Sequence, residues 1–156
     1  MRSFSDPRHL SRILCVMFLY QTFYVDCGYN EFTFSEILQI LEKSSSTQNI
    51  SYSKKLAEKI LNGLKDQNDR LDVYIDTYSS PVKSKDLDPL SLVVLRLAIY
   101  EGFDACITPP KVAVDEAIEL LRDFGADIYT KKVAGILGKI YEKLQSVSKN
   151  DSNKLE

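Results

Sequence analysis

Thr108-Pro109-Pro110-Lys111-Val112-Ala113-Val114-Asp115-Glu116-Ala117-Ile118-Glu119-Leu120-Leu121-Arg122-Asp123-Phe124-Gly125 spells one amphipathic helix with both ends marked. Proline suits the first turn, where its missing N–H would have had no partner, and Gly125 is a natural stop because the residue after a helix often turns left-handed. Val114, Ala117, Ile118, Leu121 and Phe124 recur at helical spacing on one side. Asp115, Glu116, Glu119 and Asp123 fall on the other, which reads as a solvated face. The helical period continues in both directions along the chain, and no run alternates strictly enough to predict a strand.

Upstream, Asp88-Pro89 is an N-cap followed by proline at the first helical position. It opens a densely apolar helix to about 104, with Leu92, Val93, Leu95, Leu97, Ala98 and Ile99. Before it, a long helix over about 53–78 turns Leu56, Ile60, Leu64, Leu71 and Ile75 inward and ends at Ser80-Pro81. Thr33-Phe34-Ser35-Glu36 is a capping-box pattern, starting a helix that ends in the polar run 44–49, read as a loop. The first helix, about 7–25, carries two apolar stripes: Leu10, Ile13, Leu14, Met17, Tyr20 and Tyr24 make one, and Cys15, Val16, Leu19 and Phe23 the other. Such a helix is normally enclosed by neighbours. Downstream, a last helix over about 127–146 buries Val133, Ile136, Leu137, Ile140 and Leu144. The pattern predicts an all-α protein, one domain over 1–149 built from two three-helix sub-bundles, about 1–80 and about 86–149, with a polar tail at 150–156.

The 156 residues carry 20 Lys+Arg against 22 Asp+Glu, a net charge of −2, so a nucleic-acid site would have to be a local patch. Hydrophobic residues at 44% and charged residues at 27% are ordinary globular usage. Cys15, Cys27 and Cys106 have no CxxC spacing and fit free thiols in a reducing cytosol. The longest uncharged run, 13–25, is shorter than the roughly 20 residues of a membrane span. Asp6, Pro7, Tyr20, Gln21 and Tyr24 spoil the same region as a signal peptide, so a cytoplasmic location with no membrane contact is expected. His9 is the only histidine, and no Glu-x-x-His pair, GxxxxGK[ST] or GxGxxG occurs. An enzyme is not expected, nor a metal or other cofactor.

Charge is unevenly spread. From Glu101 to Asp127 seven acids face Lys111 and Arg122, a local net of −5; from Ile128 to Lys149 five lysines face Glu142, a local net of +4. Lys132, Lys139 and Lys143 share a helical face, as do Arg8 and Arg12 on the first helix. Either these cations form a phosphate-binding patch, or the terminal lysines simply solvate their helix and complement its macrodipole. Ala134, Gly135 and Gly138 are expected to let a neighbouring helix pack closely, with approach of an RNA backbone as the sharper alternative.

Leu95-Arg96-Leu97-Ala98-Ile99-Tyr100-Glu101, then Pro109, Lys111-Val112-Ala113-Val114-Asp115-Glu116-Ala117-Ile118-Glu119-Leu120, Phe124-Gly125-Ala126 and Gly135-Ile136-Leu137 resemble the NusB family in order and spacing. Arg8, Arg12 and Leu19-Tyr20-Gln21 are similar to its arginine-rich start and its LYQ. The resemblance implies an all-α fold of two packed three-helix sub-bundles, without catalysis or metal. It also implies binding of boxA-type RNA together with the small ribosomal-subunit protein NusE, for read-through of terminators, notably in ribosomal RNA operons. Other Nus factors and RNA polymerase would be engaged indirectly. Carried over by position, the RNA-binding residues are Arg8, His9, Arg12, Tyr78, Lys131 and Lys132, and the partner-binding residues are Ser91, Glu101, Pro109 and Lys111.

The chain departs from the family where RNA is expected. Ile13 and Met17 replace a Glu and a Gln, His9 stands where Arg is common, and Lys132 stands where an aromatic is frequent. Fewer arginines imply fewer phosphate contacts and more reliance on the partner. Two alternatives therefore accompany the antitermination reading. One is a helical adaptor that binds NusE without strong RNA affinity. The other is the NusB-like domain of an RNA cytosine methyltransferase, which requires a further catalytic domain.

Overall fold

The computed structural model describes residues 6–45 and 50–152. The Asp6 carboxylate accepts from the amides of Arg8 (2.9 Å) and His9 (3.4 Å), two donors that a helix start leaves without partners. α1 (Pro7–Tyr20) follows, with proline in its first turn. A break at Gln21 leaves one short helix, α2 (Thr22–Val25), to complete the stretch expected as a single element. Residues 9–16 are buried without interruption, as two apolar stripes require. α3 (Phe34–Ser44) begins at the capping box: Glu36 N–H donates to Thr33 Oγ1 at 3.3 Å, and Thr33 N–H donates to Glu36 Oε2 at 2.7 Å. Those bonds from Thr33 hold the Glu36 carboxyl below the usual carboxylate range. α4 (Lys54–Leu64) starts from a Ser53 cap. α1 packs on α3 and α4, and Ser53 N–H donates to Ser11 Oγ at 2.8 Å along the α1–α4 seam. Of the loop expected at 44–49, Ser44 closes α3 and 46–49 lie outside the described residues.

The long helix expected over about 53–78 is two helices. α4 stops at Leu64, Asp66 takes a left-handed φ of +59°, and α5 (Asn68–Tyr78) begins anew. The chain parts into two compact units between Lys65 and Asp66, whereas the sequence pattern places the boundary near 80–86. α5 packs on α6 (Pro89–Ile99) and α8 (Thr130–Ser152) in the second unit. α6 is capped by Asp88, which accepts from Ser91 N–H at 2.8 Å, and it is buried at 91–95 and 97–99. Its exception, Arg96, forms a two-pronged pair with Asp72 of α5, at 2.8 Å (Nε–Oδ1) and 2.7 Å (Nη2–Oδ2).

α6 continues into a π-helical turn, Tyr100–Asp104, from which Asp104 pairs with Arg70 at 3.1 and 2.6 Å. The Arg70 hydrogen bond holds the Asp104 carboxyl below its ordinary range, so this support is present near neutral pH and lost as acid protonates Asp104. α7 (Pro110–Asp123) buries Ala113, Glu116, Ala117, Leu120 and Leu121 and packs on α6 and α8. Glu116 therefore leaves the solvated face assigned to it, because the contact stripe is rotated toward its side of the helix. α8 buries Val133, Ile136, Leu137 and Ile140, while Leu144 is half-buried. It runs past 146, so 150–152 of the expected tail are helical and 153–156 lie outside the described residues. No strand occurs among the described residues.

The glycines invert the sequence expectation. A Cβ on Gly135 or Gly138 would meet nothing within 4 Å, so neither admits a close neighbour. The close approach is at Gly102, where a Cβ would stand 2.5 Å from Ala113 Cβ and 3.4 Å from Pro110 Cα. Gly102→Ala is expected to cost about 1–3 kcal/mol and lower the melting temperature, since an overpacked site must push helix from helix. Gly135→Ala should instead hold or raise it, by up to about 1 kcal/mol of helix propensity. Thermal melts of the two variants check both signs.

Candidate nucleic-acid interface

In the first unit, Arg8 is exposed on the first turn of α1, while His9 and Arg12 are only 1% and 3% exposed. Of the three residues expected to meet RNA there, only Arg8 presents its side chain to solvent. The arginine pair four residues apart does lie on one helix, but α1 is enclosed over 9–16, so its second member is drawn inside.

In the second unit, Lys131 and Lys132 are exposed in the first turn of α8. Positive charge there does not complement the macrodipole; it adds to the positive end of the helix. No acid occupies that turn, and the nearest one upstream, Asp127, faces Arg122 at 3.9 Å. The explanation of these lysines as helix-stabilising therefore holds for Lys149 in the last turn and fails for Lys131 and Lys132. Two ammonium groups at the positive end of a helix make an anion-attracting point. The Lys132 ammonium also lies 5.5 Å from the centre of the Tyr129 ring, a cation–π distance that steadies its position.

Tyr78 ends α5 half-buried, its ring 4.8 Å from that of Tyr74. Lys139 Nζ donates to the Ser80 carbonyl at 3.2 Å, which brings the lysine row of α8 against the turn after Tyr78. Seven residues separate Lys132 from Lys139, about 10 Å along the helix. A half-exposed aromatic beside spaced cations is a usable arrangement for single-stranded nucleic acid, which offers bases to stack and phosphates to neutralise.

The four expected partner contacts divide evenly. Pro109 and Lys111 are exposed at the start of α7, whereas Ser91 and Glu101 are fully buried. Glu101 faces inward and holds the loop ahead of α7. Its Oε1 accepts from Thr108 Oγ1 at 2.5 Å, and its carbonyl accepts from Ile107 N–H (2.8 Å) and Thr108 N–H (3.2 Å). Glu101 thus positions Pro109 and Lys111. Sequence reasoning missed Tyr129 and this brace; Tyr129 has the legible signal, an aromatic three residues before a lysine at a helix start. Among the described residues no group of three or more His, Cys, Asp or Glu is arranged for a metal ion, and no helix is long and apolar enough to cross a membrane.

These features define a class, an all-α protein of two helical units with exposed cations gathered at a helix start. The chain belongs to the NusB family, whose profile matches residues 9–142. It is 33% identical over 132 residues to the transcription antitermination protein NusB of Idiomarina loihiensis, covering 85% of this chain and 89% of the relative. It is 36% identical over 108 residues to the protein of the same description from Psychromonas ingrahamii, covering 69% and 74%. The solved structure of T. maritima NusB aligns with a TM-score of 0.65 at 28% identity, over 88% of this chain and 92% of that one. A chain from a complex of the antitermination factors NusB and NusE with double-stranded RNA aligns at 0.59 and 17% identity, over 86% and 97%, a likeness of fold.

Thr108→Val would leave the buried Glu101 carboxyl without its hydroxyl donor. A loss of about 1–3 kcal/mol is expected in urea unfolding, with Thr108→Ser recovering most of it. Equal stability of the Val and Ser variants would remove the brace.

Proposed function

We propose that this chain is a transcription antitermination factor that binds boxA-type RNA together with NusE, promoting read-through of terminators, notably in ribosomal RNA operons, in the cytoplasm. Its relatives at 33% and 36% identity carry the description transcription antitermination protein. The observation that carries the reading in this chain is the exposed Lys131–Lys132 pair at the positive end of α8, a placement that costs helix stability and attracts phosphate. Arg8, Lys131 and Lys132 serve as phosphate contacts and Tyr78 as a stacking surface. His9 and Arg12, buried in α1, support the helix that presents Arg8. Pro109 and Lys111 meet NusE, and Ser91 and Glu101 hold the surface on which they stand. The role is one of assembly and asks no bond-making of the chain.

The burial of His9 and Arg12 also favours a second reading, in which the bundle binds NusE and contributes little RNA affinity of its own. Fluorescence anisotropy of a labelled boxA-type RNA, with the chain alone and then with NusE, separates the two. Under the first reading NusE tightens binding at least about tenfold, roughly 1.4 kcal/mol of coupling. Changing both Lys131 and Lys132 to Ala then flattens the salt slope by about 1.4, about 0.7 for each single-strand phosphate no longer neutralised. RNA affinity indifferent to these lysines, with NusE still bound, selects the adaptor.

A further inference from the structure

From Gln21 to Glu42 the chain carries four acids, Asp26, Glu31, Glu36 and Glu42, and no Lys, Arg or His. The same stretch displays Tyr29 and Phe32 at 69% and 46% exposure, with Tyr24, Val25 and Ile40 exposed as well. Single exposed apolar residues need no explanation, but a cluster within one unit is a surface that water solvates poorly and a partner can cover.

The display is held in place. Gln21 Nε2 donates to the Phe32 carbonyl at 2.7 Å, and Gln21 Oε1 accepts from Phe32 N–H at 2.8 Å, so one side chain satisfies both backbone groups of the exposed residue. The Thr33–Glu36 capping box fixes the next residue. Tyr24 bonds Tyr20 hydroxyl to hydroxyl at 2.8 Å and meets Tyr29 edge-on at 6.4 Å. Beside Phe32 lies a cavity of about 340 Å³, lined by Phe18, Glu31, Phe32, Thr33 and Phe34. A preformed apolar pocket with a carboxylate at its edge is the form of an anchor site, because little ordering entropy remains to be lost on binding.

We infer that this face docks a basic protein segment, one that inserts a large aliphatic or aromatic side chain into the cavity while flanking Lys or Arg residues meet Glu31 and Asp26. Charge selects this occupant. An RNA phosphate chain would be repelled by Glu31, which lines the cavity, and by the exposed Asp26. A second copy of the chain would bring the same acids against themselves across a two-fold axis. The inference stands independently of the RNA reading, since it uses no residue of that site.

The test titrates the full chain into a fluorescein-labelled peptide, Gly-Arg-Lys-Leu-Phe-Arg-Lys-Gly, with a control in which every Arg and Lys is Glu. Binding of the basic peptide alone is expected, weakened at least about tenfold by Phe32→Ser and by Glu31→Lys. Gln21→Ala should weaken it too, by releasing Phe32 from its backbone clamp. Asp115→Lys, an exposed acid on α7, should leave it unchanged. Should Phe32→Ser disturb folding in a thermal melt, the exposed Glu31→Lys change still decides. Failure of the basic peptide to bind, equal binding by all variants, or equal binding of the acidic control overturns the proposal. So does sedimentation showing a dimer that Phe32→Ser dissolves, which would give the face to a second copy.

Discussion

At Gly102 the backbone comes so close to α7 that a single methyl group would stand 2.5 Å from Ala113 Cβ. That approach organises the second unit. The π turn over Tyr100–Asp104 widens the helix by one residue, a local irregularity often tied to function. It turns Glu101 inward to grip Thr108 and sends Asp104 outward to Arg70. The chain is then delivered to Pro109 at the angle from which α7 starts, and α7 in turn packs on α8. The lysines that begin α8 depend, through this series of contacts, on the absence of one side chain.

The second organising fact is a segregation of charge that net charge conceals. The total of −2 hides an acidic, aromatic stretch over Gln21–Glu42 and a helix start in the second unit that carries two exposed cations. Lysines at the positive end of a helix are locally unfavourable, and a favourable alternative was available, since acids stabilise that turn. Local conflicts of this kind are retained where a ligand resolves them. A phosphate at the start of α8 would do so. The acidic face likewise gains most from a partner that brings cations to it.

Helix starts were the most legible part of the fold. Asp88-Pro89 and Thr33…Glu36 act in the structure as their chemistry dictates, because a cap is a local arrangement of a few atoms. The break at Lys65–Gln67 was not legible. Leu64 and Leu71 are seven residues apart, close to two helical turns, so the apolar period reads straight through it. Lys65, Asp66 and Gln67 offer neither Gly nor Pro to announce the left-handed residue at Asp66. Buried charge was equally hidden. Arg12, Glu101 and Glu116 lie inside, and composition places such residues outside unless their partners are known. Of the residues expected to meet RNA or a partner, Arg8, Lys131, Lys132, Pro109 and Lys111 are at the surface, Tyr78 is partly so, and His9, Arg12, Ser91 and Glu101 lie inside.

We propose that RNA is met at the start of α8 and by Arg8. Chemical-shift mapping tests it most directly: isotopically labelled chain in complex with unlabelled NusE, titrated with boxA-type RNA. The largest shifts are expected on the amides of 130–132 and of Arg8, with the 21–42 stretch silent. Shifts confined to that acidic stretch, or absent from 130–132 while the RNA is bound, would contradict it.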